Sequence, residues 1–300
     1  MGDAVAMPTM SALNFRFAMT IDLDNDLDAL FASFGRVPAD DEIVGDSVAI
    51  ELTHAADEFF ELHIGGDLAF RTLDLGVLVH QTVWVITRRG VETRPDAVVL
   101  HAAAVIVDGV HLLVSGRSGA GKSTTTARMV GDGAAYLTDE AVVIEPGGRV
   151  GAAIRRPLHL NGDSLEMLGL DSRAIVHLPD GSGYIPAADS TLGERRDGDD
   201  AVGILLLENL AGDLVVREPR RSELAVALIR ESFHGAATSQ HGLEIVKELS
   251  IRADCLALSG GTVAARANAG IIVAQCANEI APARWAAYHP SSGQLRKRRQ

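Results

Sequence analysis

Three glycines, a lysine and a serine stand at a spacing that serves one kind of chemistry. The run Gly116-Arg117-Ser118-Gly119-Ala120-Gly121-Lys122-Ser123 matches G-x-x-x-x-G-K-[ST] at every fixed position, and Thr124 follows it. Phosphate oxygens need several hydrogen-bond donors at short range. Glycines let the backbone curl so that successive N–H groups point inward and no side chain blocks the approach. The residues that follow, Ser123 to Val130, have helical character, and a helix start aims free N–H groups and a positive dipole end at the same spot. An apolar strand, Val110 to Ser115, leads in. Gly116, Ser118, Gly119, Ala120, Gly121, Lys122, Ser123 and Thr124 are therefore the candidate cradle for a nucleoside triphosphate. Lys122 would neutralise the β- and γ-phosphates. The Ser123 hydroxyl would ligate Mg²⁺, a hard cation that prefers oxygen.

Two carboxylates follow closely. Asp139 and Glu140 come one helix and one short strand after the lysine, at the end of Ala134 to Leu137 and Thr138. A strand lying beside the loop strand would bring both to the mouth of the cradle. One acid would hold Mg²⁺, directly or through water, and one would take the proton of an attacking hydroxyl. The sequence does not divide these roles between them. His101 stands in the apolar run Val98 to Val107, expected to pair with the loop strand across the Asp108-Gly109 turn. Alone, a histidine in such a run reads as a satisfied structural residue. Arg155 and Arg156 are further candidates, since a guanidinium suits the equatorial oxygens of a transferred phosphoryl group. Arg217, Arg220 and Arg221 read as a solvated cluster.

Leu100-His101-Ala-Ala-Ala, the Asp-Gly hairpin, Ser115 to Thr124 and Leu137-Thr-Asp-Glu140 together resemble the catalytic core of the HPr serine kinase/phosphorylase family. More closely they resemble its shorter HPr-kinase-related relatives, whose P-loop type is shared with phosphoenolpyruvate carboxykinase. The resemblance covers roughly residues 98–160. It implies that His101 belongs to an active site, that Asp139 and Glu140 serve metal and acceptor proton, and that the acceptor is a seryl hydroxyl of a protein or peptide. It also implies assembly into homo-oligomers. The chain departs from the family in two places. Glu140 stands where the family usually has a second aspartate, and the Glu-x-Arg-Gly-Leu-Gly segment of the bifunctional enzymes has no counterpart. The resemblance thus carries no expectation of phosphorolysis, or of that family's carrier protein as acceptor.

The elements that must position these groups can be traced along the chain. Asn14 to Asp22 alternates as a strand with one buried side. Glu58 to Ile64 and Leu68 to Phe70 flank Gly65-Gly66-Asp67 as a hairpin. Leu75 to Thr87 is long enough for a helix, which Gly90 is expected to end. Ala141 to Glu145 reads as a strand turned by Pro146-Gly147-Gly148. Residues 181–200 read as an exposed loop, Val202 to Leu207 as a buried strand, and Glu223 to Phe233, Leu243 to Arg252 and Ile271 to Ala281 as helices. Leu258-Ser259-Gly260-Gly261 imitates an ABC-transporter ATPase signature, but no strand ending in Asp-Glu follows, so it reads as a turn.

Composition sets the outer limits. The 300 residues are 47% hydrophobic and 22% charged, enough for a sizeable core. A net charge of −13 and 4% aromatics argue against a nucleic-acid partner. The two cysteines, Cys255 and Cys276, form neither a zinc spacing nor a disulfide framework. With no apolar run long enough to span a bilayer, a cytoplasmic protein without membrane contact is expected. The expected architecture is α/β: a β-rich or α+β N-terminal subdomain over 1–95, a P-loop core of the HPr-kinase type over 96–288, and a basic, disordered tail over 289–300. The expected activity is Mg²⁺-dependent transfer of the γ-phosphoryl group of ATP to a hydroxyl. The alternatives are a small-molecule kinase on the same core and a non-catalytic nucleotide-binding switch.

Overall fold

The computed structural model describes residues 5–6, 9–23, 27–35, 47–170, 176–187, 201–209, 211–233, 239–278 and 296–297, the first and last pairs as backbone only. It is a mixed α/β protein with several sheets and, among the described residues, seven α-helices. The chain opens with β1 (Val5–Ala6), β2 (Met10–Ala12), β3 (Phe15–Asp22), α1 (Leu27–Phe31), β4 (Val48–His54), β5 (Phe60–Ile64), β6 (Asp67–Thr72) and α2 (Leu75–Glu92). Then come β7 (Val98–His101), β8 (Ala103–Val107), β9 (Val110–Gly116), α3 (Lys122–Gly131), β10 (Ala135–Thr138), β11 (Ala141–Glu145) and β12 (Arg149–Ala153). A middle segment holds β13 (Leu158–Leu160), α4 (Gly162–Leu168), β14 (Val176–His177) and β15 (Gly183–Ile185). The chain continues through β16 (Val202–Asn209), β17 (Val215–Arg217), α5 (Arg221–Arg230), α6 (Gln240–Arg252), β18 (Asp254–Ser259), α7 (Val263–Asn278) and β19 (Arg296–Lys297).

These elements form two compact units, one of Met1–Arg94 with Ile154–Asp189, the other of Pro95–Ala153 with Ser190–Gln300. The linear division at residue 95 therefore misses that 154–189 joins the N-terminal unit. Arg155 and Arg156 go with it.

The first unit is built on a sheet ordered β1-β3-β4-β5-β6, with β2 also on β3, and on a smaller sheet ordered β13-β15-β14. Phe17, Met19 and Ile21 alternate into its core along β3, as the period of two requires. Gly65 and Gly66, both at positive φ, turn the β5–β6 hairpin. The Asp74 side chain accepts the Val77 N–H and starts α2. Gly90 does not end that helix, which continues to Glu92. A Cβ there would come 2.8 Å from the Ala12 carbonyl oxygen, so the glycine serves close packing instead. The exposed loop expected from residue 181 also gives way, since β15 is a buried strand. Residues 188–200, where the loop reading was strongest, lie outside the described residues.

The second unit centres on a seven-stranded sheet ordered β10-β8-β9-β16-β18-β17-β19. Strands β9, β16 and β18 run parallel side by side. Both faces of this sheet are covered, which explains why β16 reads as an unbroken apolar run. Leu113, Ile204, Leu206 and Ala257 pack on one face with β7, β11, α5 and α6. Leu112, Val114, Leu205, Leu207 and Leu258 pack on the other with α3 and α7. A separate three-stranded sheet, β12-β11-β7, lies on the first of these faces through Leu100, Val142 and Val150. The last helix begins at Val263, a full two turns before its expected start. The basic tail lies outside the described residues except for the Arg296–Lys297 backbone, which pairs with β17. No helix among the described residues is long and apolar enough to cross a membrane.

Candidate functional site

The glycine-rich loop leaves β9 at its carboxyl end and enters α3. The flanking hairpin is local: Asp108 at φ 50° and Gly109 at φ 86° join β8 to β9 in the two-residue turn that Asp-Gly favours. Gly116, the last residue of β9, pairs with Leu207 of β16. It sits at φ 153°, and a Cβ there would come 2.4 Å from the Leu207 carbonyl oxygen. Gly119 and Gly121 have φ of 78° and 88°. Arg117, Ser118 and Gly119 are exposed, whereas Ala120 is buried. Gly121 is the N-cap of α3 and makes no side-chain cap hydrogen bond. A helix start points its leading N–H groups into the loop before it.

Lys122 is 7% exposed, and its Nζ donates to the Gly116 carbonyl oxygen at 2.7 Å. Burial lowers its pKa, and the carboxylates of Glu231, Glu140 and Asp139, in falling order, pull it back up. Three acids from two separate stretches of chain therefore share the field of one ammonium. Ser123 and Thr124 are half-buried on the first turn of α3.

Strand β10 carries the acidic pair to this end of the sheet, by a route the sequence did not suggest. It lies one strand away from the loop strand, with β8 between them. Thr138 is level with Ala104, which is level with Leu113 of β9, so Asp139 and Glu140 continue past the sheet toward the loop's end. Asp139 is 2% exposed, and the Tyr136 hydroxyl donates to its Oδ1 at 3.1 Å. The Thr138 hydroxyl accepts from the Glu140 N–H at 3.1 Å and fixes the bend.

His101 is not on the strand that pairs with the loop strand. The apolar run breaks at Ala102: β8 pairs with β9, while His101 ends β7, in the smaller sheet opposite Ala141. The side chain nevertheless reaches the acidic pair, with Nε2 3.7 Å from Glu140 Oε1. Its Nδ1 lies 3.6 Å from Oε2 of Glu231, a residue that sequence reasoning passed over. Glu231 is the C-cap of α5, and nothing local marks it as different from any other charged helix end.

A cleft of about 880 Å³ opens beside the loop, lined among others by Gly116, Arg117, Leu207, Arg217, Val226 and Glu231. Of the basic cluster, Arg217 is tied to Glu208 and, at 2.7 Å, to Glu223, and Arg221 donates to the Ala253 carbonyl oxygen at 2.6 Å. Of the Leu258–Gly261 segment, Leu258 and Ser259 end strand β18, and only Gly260 and Gly261, both at positive φ, form the turn toward α7.

The residues suit a metal-bound triphosphate in two respects. The N-cap of the helix start brings no side chain into the loop, and a buried ammonium lies in the field of three carboxylates. Among the described residues no group of three or more His, Cys, Asp or Glu side chains is arranged to hold a metal ion by itself. A cation here would therefore take some of its oxygens from elsewhere, as Mg²⁺ does from phosphate and water. No protein-family model matches the chain, and no match is found among curated proteins.

Proposed function

We propose that the protein is a Mg²⁺-dependent kinase that transfers the γ-phosphoryl group of ATP to a hydroxyl, most simply a seryl hydroxyl of a protein or peptide, on a P-loop core of the HPr-kinase type. The observation that carries this reading is a buried Lys122 ammonium held on the Gly116 carbonyl oxygen at the glycine-lined start of α3, in the same unit as a His101 set between Glu140 and Glu231. A protein that only bound a nucleotide would need the loop but would have no use for a histidine held between carboxylates on the acceptor side.

In this reading the loop N–H groups and Lys122 hold the triphosphate, and the Gly116 carbonyl keeps the ammonium in place until then. Ser123, with Asp139 or Glu140, would hold Mg²⁺, which when bound offsets charge on the phosphate oxygens. The acceptor hydroxyl gives its proton to a carboxylate of the Asp139–Glu140 pair. Its oxygen forms the new bond to phosphorus while the bond to the diphosphate leaving group breaks. Lys122 balances charge through the transfer, and His101 orients the hydroxyl. Positioning and charge compensation carry such a reaction.

The test is ADP release from Mg·ATP, measured alone and with free serine, with seryl peptides and with simple alcohols. Acceptor-stimulated release and a phosphorylated product support the kinase. Release that no acceptor stimulates points to the switch, and absence of Mg·ATP binding by calorimetry removes both.

A further inference from the structure

The imidazole of His101 is held by more structure than a bystander needs. Its two nitrogens lie 3.7 Å from Glu140 and 3.6 Å from Glu231, and the Phe233 ring stands edge-on with centroids 5.8 Å apart. The two glutamates are placed by backbone as well as by side chain. The His101 N–H donates to Glu231's own carbonyl at 2.5 Å, and the Ala102 N–H donates to Glu140's own carbonyl at 3.1 Å. A further bridge joins Leu100 to Ser232. Each carboxylate thus starts from a main chain already bonded to the strand end that carries the ring, one on either side.

The two contacts are not equivalent. Glu231 is 14% exposed and Glu140 27%, so the Glu231 contact is the less screened by water. A neutral imidazole has one N–H and one lone pair, and the partner of one nitrogen sets the role of the other. A carboxylate only accepts. At 3.6 Å the Glu231 contact is electrostatic rather than a formed hydrogen bond, and the less screened field of that carboxylate favours the N–H on its own side.

We infer that Glu231 is a positioning residue for His101: it fixes the ring and its Nδ1–H form, so that Nε2 presents its lone pair on the side of Glu140. There Nε2 accepts a hydrogen bond from the acceptor hydroxyl and aims the oxygen. This consequence rests on the phosphotransfer reading; the state of the ring does not.

The test is ¹⁵N NMR of the full chain with labelled histidine rings, about two pH units above the ordinary imidazole pKa of about 6.5. The His101 signals are assigned by their loss in His101→Gln. Wild type is expected to show His101 protonated at Nδ1. Glu231→Ala is expected to move the proton to Nε2, the form free imidazole prefers, and to lower turnover of Mg·ATP on the order of 10²-fold with KM for ATP unchanged. Glu231→Asp, which keeps the carboxylate, is expected to restore part of both. An Nε2–H ring in wild type overturns the inference, as does an Nδ1–H ring that survives Glu231→Ala. Should Glu231→Ala fail to fold, the wild-type spectrum, assigned through His101→Gln, still decides the state of the ring. A chain that does not bind Mg·ATP would lose the proposed function, and the spectrum would still decide what Glu231 does to the ring.

Discussion

Adding one methyl group at different glycines of the loop–helix segment should have effects of opposite sign. At Gly116 the added Cβ would come 2.4 Å from the Leu207 carbonyl oxygen, a backbone atom locked in register with β9, and 3.2 Å from the Ala120 Cβ. Relief requires β16 to move away from β9, at an overpacking cost of about 1–3 kcal/mol. The φ of 153° adds a backbone term of about 1–2 kcal/mol. Gly116→Ala should therefore destabilise the protein by about 2–5 kcal/mol, a large part of a typical folding free energy of about 5–15 kcal/mol. At Gly119 nothing lies within 4 Å of the added Cβ, and only the φ of 78° opposes it. Gly119→Ala should cost about 1–2 kcal/mol. At Gly131, the last residue of α3, no atom lies within 4 Å and φ is not positive. Gly131→Ala should stabilise by about 0.4–1 kcal/mol, because alanine has less freedom to lose on folding. Urea titrations of the three variants beside wild type measure the series. A Gly116→Ala protein no less stable than Gly119→Ala would refute the claim that this glycine exists to let two backbones touch.

Three other outcomes follow from the site and the core. Lys122→Met should weaken Mg·ATP binding by about 10–150-fold, the equivalent of a charged hydrogen bond worth about 1.5–3 kcal/mol, as read by calorimetry; unchanged affinity would contradict the cradle. Asp139→Asn keeps the shape of a side chain that is 2% exposed, so Mg·ATP should still bind while acceptor-dependent transfer falls by about 10²–10⁴-fold; retained transfer would remove Asp139 from the mechanism. Burial pushes the Cys255 thiol up to about 12 from an ordinary 9.0. The folded chain holds that proton longer than the unfolded one. The associated stability is therefore complete below about pH 9 and is lost as pH rises toward 12. Cys255→Val should flatten this part of the urea midpoint against pH, and an unaltered slope would show that other groups set it.

Some of the molecule was written locally. The Asp108-Gly109 turn, the Gly65-Gly66 hairpin, the Asp74 cap and the glycine-rich loop each depend on residues within a few positions of one another. Their conformations follow from φ preferences and short hydrogen bonds. The alternation in β3 and the apolar run of β16 likewise announced one covered face and two. The places of Lys122, Ser123 and the Asp139–Glu140 pair at element ends were legible for the same reason: those elements follow each other directly.

Other features depended on partners far away in the chain. A single apolar run, Val98 to Val107, gave no sign that it would divide between two sheets at Ala102, because either half alone is a good strand. Gly90 looked like a helix end until Ala12 came to lie against it. Glu231 looked like any charged residue at a helix terminus. Only the pairing of the α5 end with β7 brings its carboxylate to a histidine set far earlier in the chain. Hydrophobic pattern and turn chemistry act over one element at a time. Which elements meet, and which charges then share a low-dielectric space, is decided by burial summed over the whole unit.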